Sequence, residues 1–116
     1  MKLYVLELED DCWYVGISKD PDKRVHDHGT IKGAKWTFKH KPLQPVEDHI
    51  QIFDLGRYRT LAECELEEDM VTEGLQKKFG LNKVRGGYTI FCKDMKKRPT
   101  RRQAKWLYEK CKKGFY

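Results

Sequence analysis

Leu3-Tyr4-Val5-Leu6-Glu7-Leu8 and, beyond the acidic link Glu9-Asp10-Asp11, Cys12-Trp13-Tyr14-Val15-Gly16-Ile17 are the segments that decide the fold. Both are rich in β-branched and aromatic residues, and the short polar link makes them a hairpin. Apolar residues fall on both parities of each strand, the pattern of a sheet covered on both faces. A three-residue loop places Tyr4, Leu6, Tyr14 and Gly16 on one face, because side chains alternate along a strand. A two-residue loop would separate the two tyrosines.

Outward from the hairpin, Asp20-Pro21 is a helix start, with Asp as N-cap and Pro in the first turn. The helix runs from Pro21 to about His28 and stops at Gly29. Ahead of two prolines, the stretch GTIKGAKWTFKHKP is loop-like at its front and holds one helical turn around Ala34–Lys39. Val46 to Leu55 reads as a third strand. Thr60-Leu61-Ala62-Glu63 is a capping box that opens a long helix ending at Gly80. Its apolar stripe is Leu61, Cys64, Val71, Thr72, Leu75 and Phe79, with Glu68 in the middle and the other acids off the centre. A carboxylate aimed at a core needs a cation, a metal or a strong hydrogen bond. Leu81 to Gly87 reads as a loop, with a tight turn at Arg85-Gly86-Gly87, and Tyr88 to Cys92 as a short strand. Thr100 to Lys112 reads as a basic amphipathic helix with Ala104, Leu107, Tyr108 and Cys111 on its apolar side. The expected fold is α/β of the α+β kind, a small central sheet, mostly antiparallel, flanked by helices.

At 116 residues the chain has the length of one domain. No apolar run reaches the ~18 residues of a membrane span. The N-terminus turns acidic after eight residues and carries no small-residue cleavage site, so the reading is intracellular and not secreted. Cys12, Cys64, Cys92 and Cys111 never form C-x-x-C, and free thiols are expected. His26, His28, His40 and His49 add no ligand pair with zinc-finger spacing.

The net charge of +6 is uneven. Positions 93–113 hold ten basic and two acidic residues, which exceeds the whole chain's surplus. Such density points to a polyanion, most often nucleic acid, with a solubilising tail as the bland alternative. The expected division is residues 1–92 as the chemical body and 93–116 as a basic helical extension packed on or beside it. Arg98, Arg101, Arg102 and Lys105 are its candidate phosphate contacts, so removing it should weaken binding before it touches the chemistry. Trp36 and Phe38 with Lys35, Lys39 and Lys41 read either as an aromatic-basic nucleic-acid surface or, for the rings, as core.

Arg24 and His28 stand four apart and share a helix face. Taken singly, each candidate has an ordinary explanation. Strand tyrosines are usually core residues, Arg24 and His28 a solvated face, and Glu68 half of a salt bridge. In order along one chain, the set resembles the GIY-YIG nuclease family. Leu3-Tyr4-Val5 stands where the first triplet belongs, with Leu for its glycine, and Tyr14-Val15-Gly16 matches the second. Asp20-Pro21-Asp22-Lys23-Arg24-x-x-x-His28 follows, then Gly33-Ala34-Lys35-Trp36-Thr37, and Glu68 on the long helix. Lys83-Val84-Arg85-Gly86-Gly87-Tyr88 is similar to an ending of small members, many of them viral. The resemblance covers about residues 2–90. Asn82 lies one place off the register of the family's late asparagine and stands as a supporting residue.

The resemblance implies phosphodiester hydrolysis with one divalent metal, Mg²⁺ or Mn²⁺, held by Glu68. A hard cation that keeps several waters suits a single carboxylate. Arg24 offers a planar fork to phosphate oxygens. By analogy Tyr4 is the base or water-positioner, Tyr14 its support, and His28 the group that accepts or relays the proton. Lys35 is a phosphate contact. The implied partner is DNA, branched or damaged DNA included, with RNA left open; no membrane is expected, and the chain reads as a monomer or weak dimer. A non-catalytic binding module on the same fold and an RNA-directed nuclease or binding protein are the competing readings.

Overall fold

A computed structural model describes residues 1–30, 33–56, 60–89 and 94–112. Strands β1 (Lys2–Leu8) and β2 (Cys12–Ser18) pair antiparallel, with Tyr4 opposite Gly16 and Leu6 opposite Tyr14. The link Glu9–Asp11 is a single 3₁₀ turn in which Asp10 and Asp11 take positive φ. This is the three-residue connection, and both tyrosines share a face. Strand β3 (Ile50–Asp54) pairs antiparallel with β1, and β4 (Val84–Gly86) lies parallel to β2, giving the order β3-β1-β2-β4. The sheet is therefore mixed, and the α+β architecture is as expected.

Helices flank both faces. Tyr4, Leu6, Leu8, Cys12 and Tyr14 form one core with Trp36, beneath α1 (Pro21–Asp27) and α2 (Lys35–Lys39). Leu3, Val5, Val15 and Val84 form the other, against Val71 and Leu75 of α3 (Leu61–Phe79). Caps fall where the sequence puts them: Asp20 accepts from the Lys23 N–H and Thr60 from the Glu63 N–H. Arg101–Lys112 forms α4. Cys12 and Cys64 are buried free thiols, whereas Cys92 lies outside the described residues, as does the segment Ile90–Cys92 of the expected strand. The side chains of Leu107, Tyr108 and Cys111 also lie outside them, while Ala104 is buried.

Three expectations change. The front of the third strand, Val46–Asp48, is a 3₁₀ turn, closed by bonds from Asp48 N to Pro45 O and from His49 N to Val46 O. The stretch from Leu81 is no plain loop: a 3₁₀ turn (Leu81–Lys83) leads into β4. Three residues that end on the first glycine of a Gly-Gly pair carry too little periodicity to show as a strand, and pairing with Trp13–Val15 is what makes them one. The tight turn follows, with Gly86 and Gly87 at φ 156° and 56°. The buried line of α3 is Cys64, Asp69, Thr72 and Gln76, whereas Leu61 is 58% exposed. The line swings toward Asp69 and Gln76 because both carry hydrogen bonds into the segment after β4. Among the described residues no helix is long and apolar enough to cross a membrane.

Candidate active site

Tyr4 is buried under the α1–α2 layer with its ring lying over Gly16. A Cβ on Gly16 would stand 2.5 Å from both Cζ and the hydroxyl of Tyr4, so this strand position must be glycine for the ring to seat. Tyr14 lies beside Tyr4, with ring centroids 6.3 Å apart. His28 caps the C-terminus of α1 and contacts both rings, at 5.7 Å from Tyr4 and 4.7 Å from Tyr14.

The Tyr4 hydroxyl is 2.8 Å from His28 Nε2, and His28 Nδ1 is 3.0 Å from Thr37 Oγ1. Thr37 spends its one hydroxyl hydrogen on the Ala34 carbonyl at 2.9 Å. Toward His28 it can therefore only accept, which places the imidazole hydrogen on Nδ1. Nε2 is then a lone pair, and Tyr4 donates to it. Burial, reinforced by the Arg24 charge and opposed by Asp27, lowers the His28 pKa to about 4, so the ring is neutral at pH 7.

Burial likewise raises the Tyr4 phenol far above its ordinary range; Tyr14 and Glu68 add to the shift and Arg24 opposes it. Tyr14 is pushed up to about 12, by burial and then by Glu68, again against Arg24. Both phenols thus keep their hydrogens. Arg24, four residues before His28, is exposed, with its charge felt by all three rings.

Glu68 reaches this cluster around an edge of the sheet. β4 ends where Gly86 pairs with Val15, leaving the Ile17 N–H of β2 unclaimed by a strand, and Glu68 accepts from it. Burial raises the Glu68 carboxyl to about 7, with Asp69 and Glu65 adding to the shift and the Ile17 N–H and Arg101 opposing it. Among the described residues no three His, Cys, Asp or Glu side chains come together as a metal cage. A half-buried carboxylate disfavoured by its burial and by two neighbouring acids fits a cation that keeps most of its water ligands.

Arg24, His28 and Glu68 thus gather around the two phenols Tyr4 and Tyr14, five sequence candidates in all. The others are placed elsewhere. Lys35 and Lys39 are exposed on α2. Trp36 of the same helix is 1% exposed and belongs to the core, donating from Nε1 to the Trp13 carbonyl, with the Arg85 guanidinium 4.7 Å from its ring. Phe38 is 49% exposed beside Lys41. Asn82 holds backbone and not the cluster: Oδ1 accepts from Arg85 and Met95 N, and Nδ2 donates to Met95 O. Arg102 and Lys105 are exposed. Arg98 and Arg101 are engaged within the chain, by Gln76, Tyr88 and Asp69. Two contributors carried no assignment from sequence. Thr37 sits inside the quoted Gly33–Thr37 segment without a signal of its own, and Asp69 looks like one acid among six on α3.

Sequence comparison places relatives around this geometry. A UPF0213 protein of Fusobacterium nucleatum is 38% identical over 68 residues, 59% of this chain and 62% of its own length. One of Halalkalibacterium halodurans is 41% identical over 44 residues, 38% and 47% of the two chains. UPF0213 protein YazA of Bacillus subtilis is 42% identical over 43 residues, 37% and 43%. The chain is similar to UPF0213 proteins. It spans about half the length of the curated relatives it matches. These relatives are bacterial, and a further one, from Haloquadratum walsbyi, is archaeal. No family model and no solved structure matches the chain.

Proposed function

We propose that this chain is a metal-dependent endonuclease that hydrolyses phosphodiester bonds in DNA. The observation that carries the reading is the hydrogen bond from Tyr4 to a neutral His28, set beside an exposed arginine and a half-buried carboxylate. The order of these residues is that of the GIY-YIG family, and the UPF0213 relatives are compatible with it.

Glu68 would hold one divalent cation, Mg²⁺ or Mn²⁺, and such an ion supplies positive charge to the scissile phosphate and the leaving oxygen. Arg24 binds non-bridging oxygens of the phosphate through its fork of donors. Tyr4 keeps its hydrogen and donates it to His28, so its oxygen lone pairs are free to accept from an attacking water. As the water loses a proton to the Tyr4 oxygen, the Tyr4 hydrogen passes to His28 Nε2, and Thr37 holds the ring while it charges. A histidine whose burial disfavours the charged form returns that proton readily. Tyr14 packs against both partners and excludes bulk water. Lys35, Lys39, Arg102 and Lys105 supply phosphate contacts, which makes binding weaken steeply with salt. Residues 1–92 carry the chemistry on this reading, and 93–116 form a basic extension.

The test is a set of labelled substrates (duplex, branched and single-stranded DNA, and RNA) incubated with Mg²⁺, Mn²⁺ or EDTA. Cleavage of DNA with metal and none in EDTA is expected. Binding without cleavage on every substrate would make the chain a binding module, and cleavage confined to RNA would move the substrate class.

A further inference from the structure

We propose that Arg98 and Arg101 are positioning residues for Glu68: they clamp the turn of α3 that carries it, so the basic C-terminal segment governs cleavage rate as well as binding. The proposal rests on the nuclease reading above.

Asp69, the residue after Glu68, is 8% exposed although it is a carboxylate on a surface helix. It is gripped from two sides. The Tyr88 N–H donates to Oδ1 at 3.2 Å, and Arg101 pairs with Oδ2. The grip needs Gly87, where a Cβ would stand 2.1 Å from Asp69 Oδ1. Arg98 adds a second hold on the same helix. Its Nε donates to Gln76 Oε1 at 3.0 Å, its Nη1 to the Tyr88 hydroxyl, and its Nη2 to the Asp69 carbonyl at 3.4 Å. Gln76 in turn donates to the Val84 carbonyl of β4 and to Thr89. Both guanidinium groups lie over the Tyr88 ring, at 4.6 Å for Arg98 and 5.0 Å for Arg101.

Elsewhere α3 is seated by the buried Cys64 and Thr72 and by Phe79 stacked on Trp13 at 5.0 Å, but a groove of about 480 Å³ remains between the helix and the sheet, lined by Leu3, Val5, Phe53, Val71 and Leu75. The groove leaves that flank incompletely filled, so the polar grip on Asp69 helps to set the rotation of α3 about its axis. Successive residues on a helix lie about 100° apart, so a rotation that releases Asp69 must also carry Glu68 away from the Ile17 N–H. The clamp and the carboxylate are one rigid unit. Arg102 and Lys105 are exposed on the same helix as Arg101, so a phosphate-facing surface and the clamp are built into one element.

The experiment uses the full chain on one labelled DNA substrate with Mg²⁺, reading kcat and KM separately for wild type, Arg98→Ala, Arg101→Ala, Arg101→Lys, and Arg102→Ala combined with Lys105→Ala. Displacement of a catalytic group by about an ångström can cost about 100-fold. Arg98→Ala and Arg101→Ala should therefore lose up to about 100-fold in kcat with KM little changed. Arg101→Lys, which keeps a cation against Asp69, should recover most of it, while the Arg102/Lys105 pair should raise KM. Should Arg98→Ala fail to fold by circular dichroism, the variants at the exposed Arg101 decide the matter. A raised KM with unchanged kcat in Arg101→Ala would make Arg101 a substrate contact and overturn the proposal while leaving the nuclease reading intact. A wild type that cuts nothing would sink both.

Discussion

Tyr4 donates its hydroxyl hydrogen to Nε2 of His28 across 2.8 Å, and Thr37 sets the direction of that bond by accepting from Nδ1. Removing the acceptor strands a buried phenol. His28→Ala should cost about 1–3 kcal/mol of stability and at least about 100-fold in cleavage rate. His28→Gln should recover much of the stability through its amide and little of the rate. Denaturant midpoints and single-turnover rates on the same preparations separate the two effects.

The lowered pKa of His28 makes stability depend on pH. The unfolded ring takes up a proton below its ordinary value of 6.5, but the folded ring waits until about 4. The contribution is fully present above 6.5 and is lost as pH falls to 4, amounting to about 3 kcal/mol. Glu68, raised to about 7, acts in the opposite sense: its cost grows as pH rises from the ordinary carboxylate range toward 7. The histidine term is therefore read as the difference between wild type and His28→Gln in urea unfolding at pH 7 and at pH 4.5. That difference should narrow at the lower pH; a constant difference would mean that the folded ring titrates like the unfolded one and that burial does not shift it.

Glu68 sets function against stability. Glu68→Gln removes a half-buried carboxylate that is costly above pH 7, so the thermal midpoint at pH 8 in EDTA should rise, by about 4 °C for each kcal/mol recovered. Mg²⁺ should raise the wild-type midpoint, because a ligand that binds the folded chain stabilises it, and should leave the variant unchanged. Differential scanning calorimetry with and without metal reports both.

Gly16→Ala places a methyl group 2.5 Å from the Tyr4 ring and hydroxyl. Overpacking of this kind costs about 1–3 kcal/mol, and here the ring that must move is the one bonded to His28. Stability and cleavage rate should fall together. An active, stable alanine variant would show that Tyr4 has room elsewhere.

Much of this site is legible in the sequence because its parts lie on strongly patterned elements. The three-residue hairpin link puts Tyr4 and Tyr14 on one face, and the Thr60 capping box sets the phase of Glu68. The Asp20-Pro21 start places Arg24, but the helix ends at Asp27, and His28 turns into the core as an extended cap while Arg24 stays exposed, so the two do not share a helix face. What stays hidden depends on contacts between segments distant in sequence. β4 exists only through its pairing with Trp13–Val15, and the turn of α3 toward Asp69 follows from arginines 29 and 32 residues further on. Charge density correctly marks the C-terminal segment as basic, but density does not tell an arginine facing solvent from one clamped on a carboxylate.

The central claim is that Glu68 and its metal drive hydrolysis at a site that binds DNA without them. The most direct measurement is single-turnover cleavage of 5′-labelled DNA by wild type and Glu68→Gln in Mg²⁺, with binding of the same DNA measured in EDTA. Both proteins should bind with similar affinity, wild type alone should cut, and EDTA should stop it. Cleavage by Glu68→Gln at the wild-type rate, or by wild type in EDTA, would contradict the account.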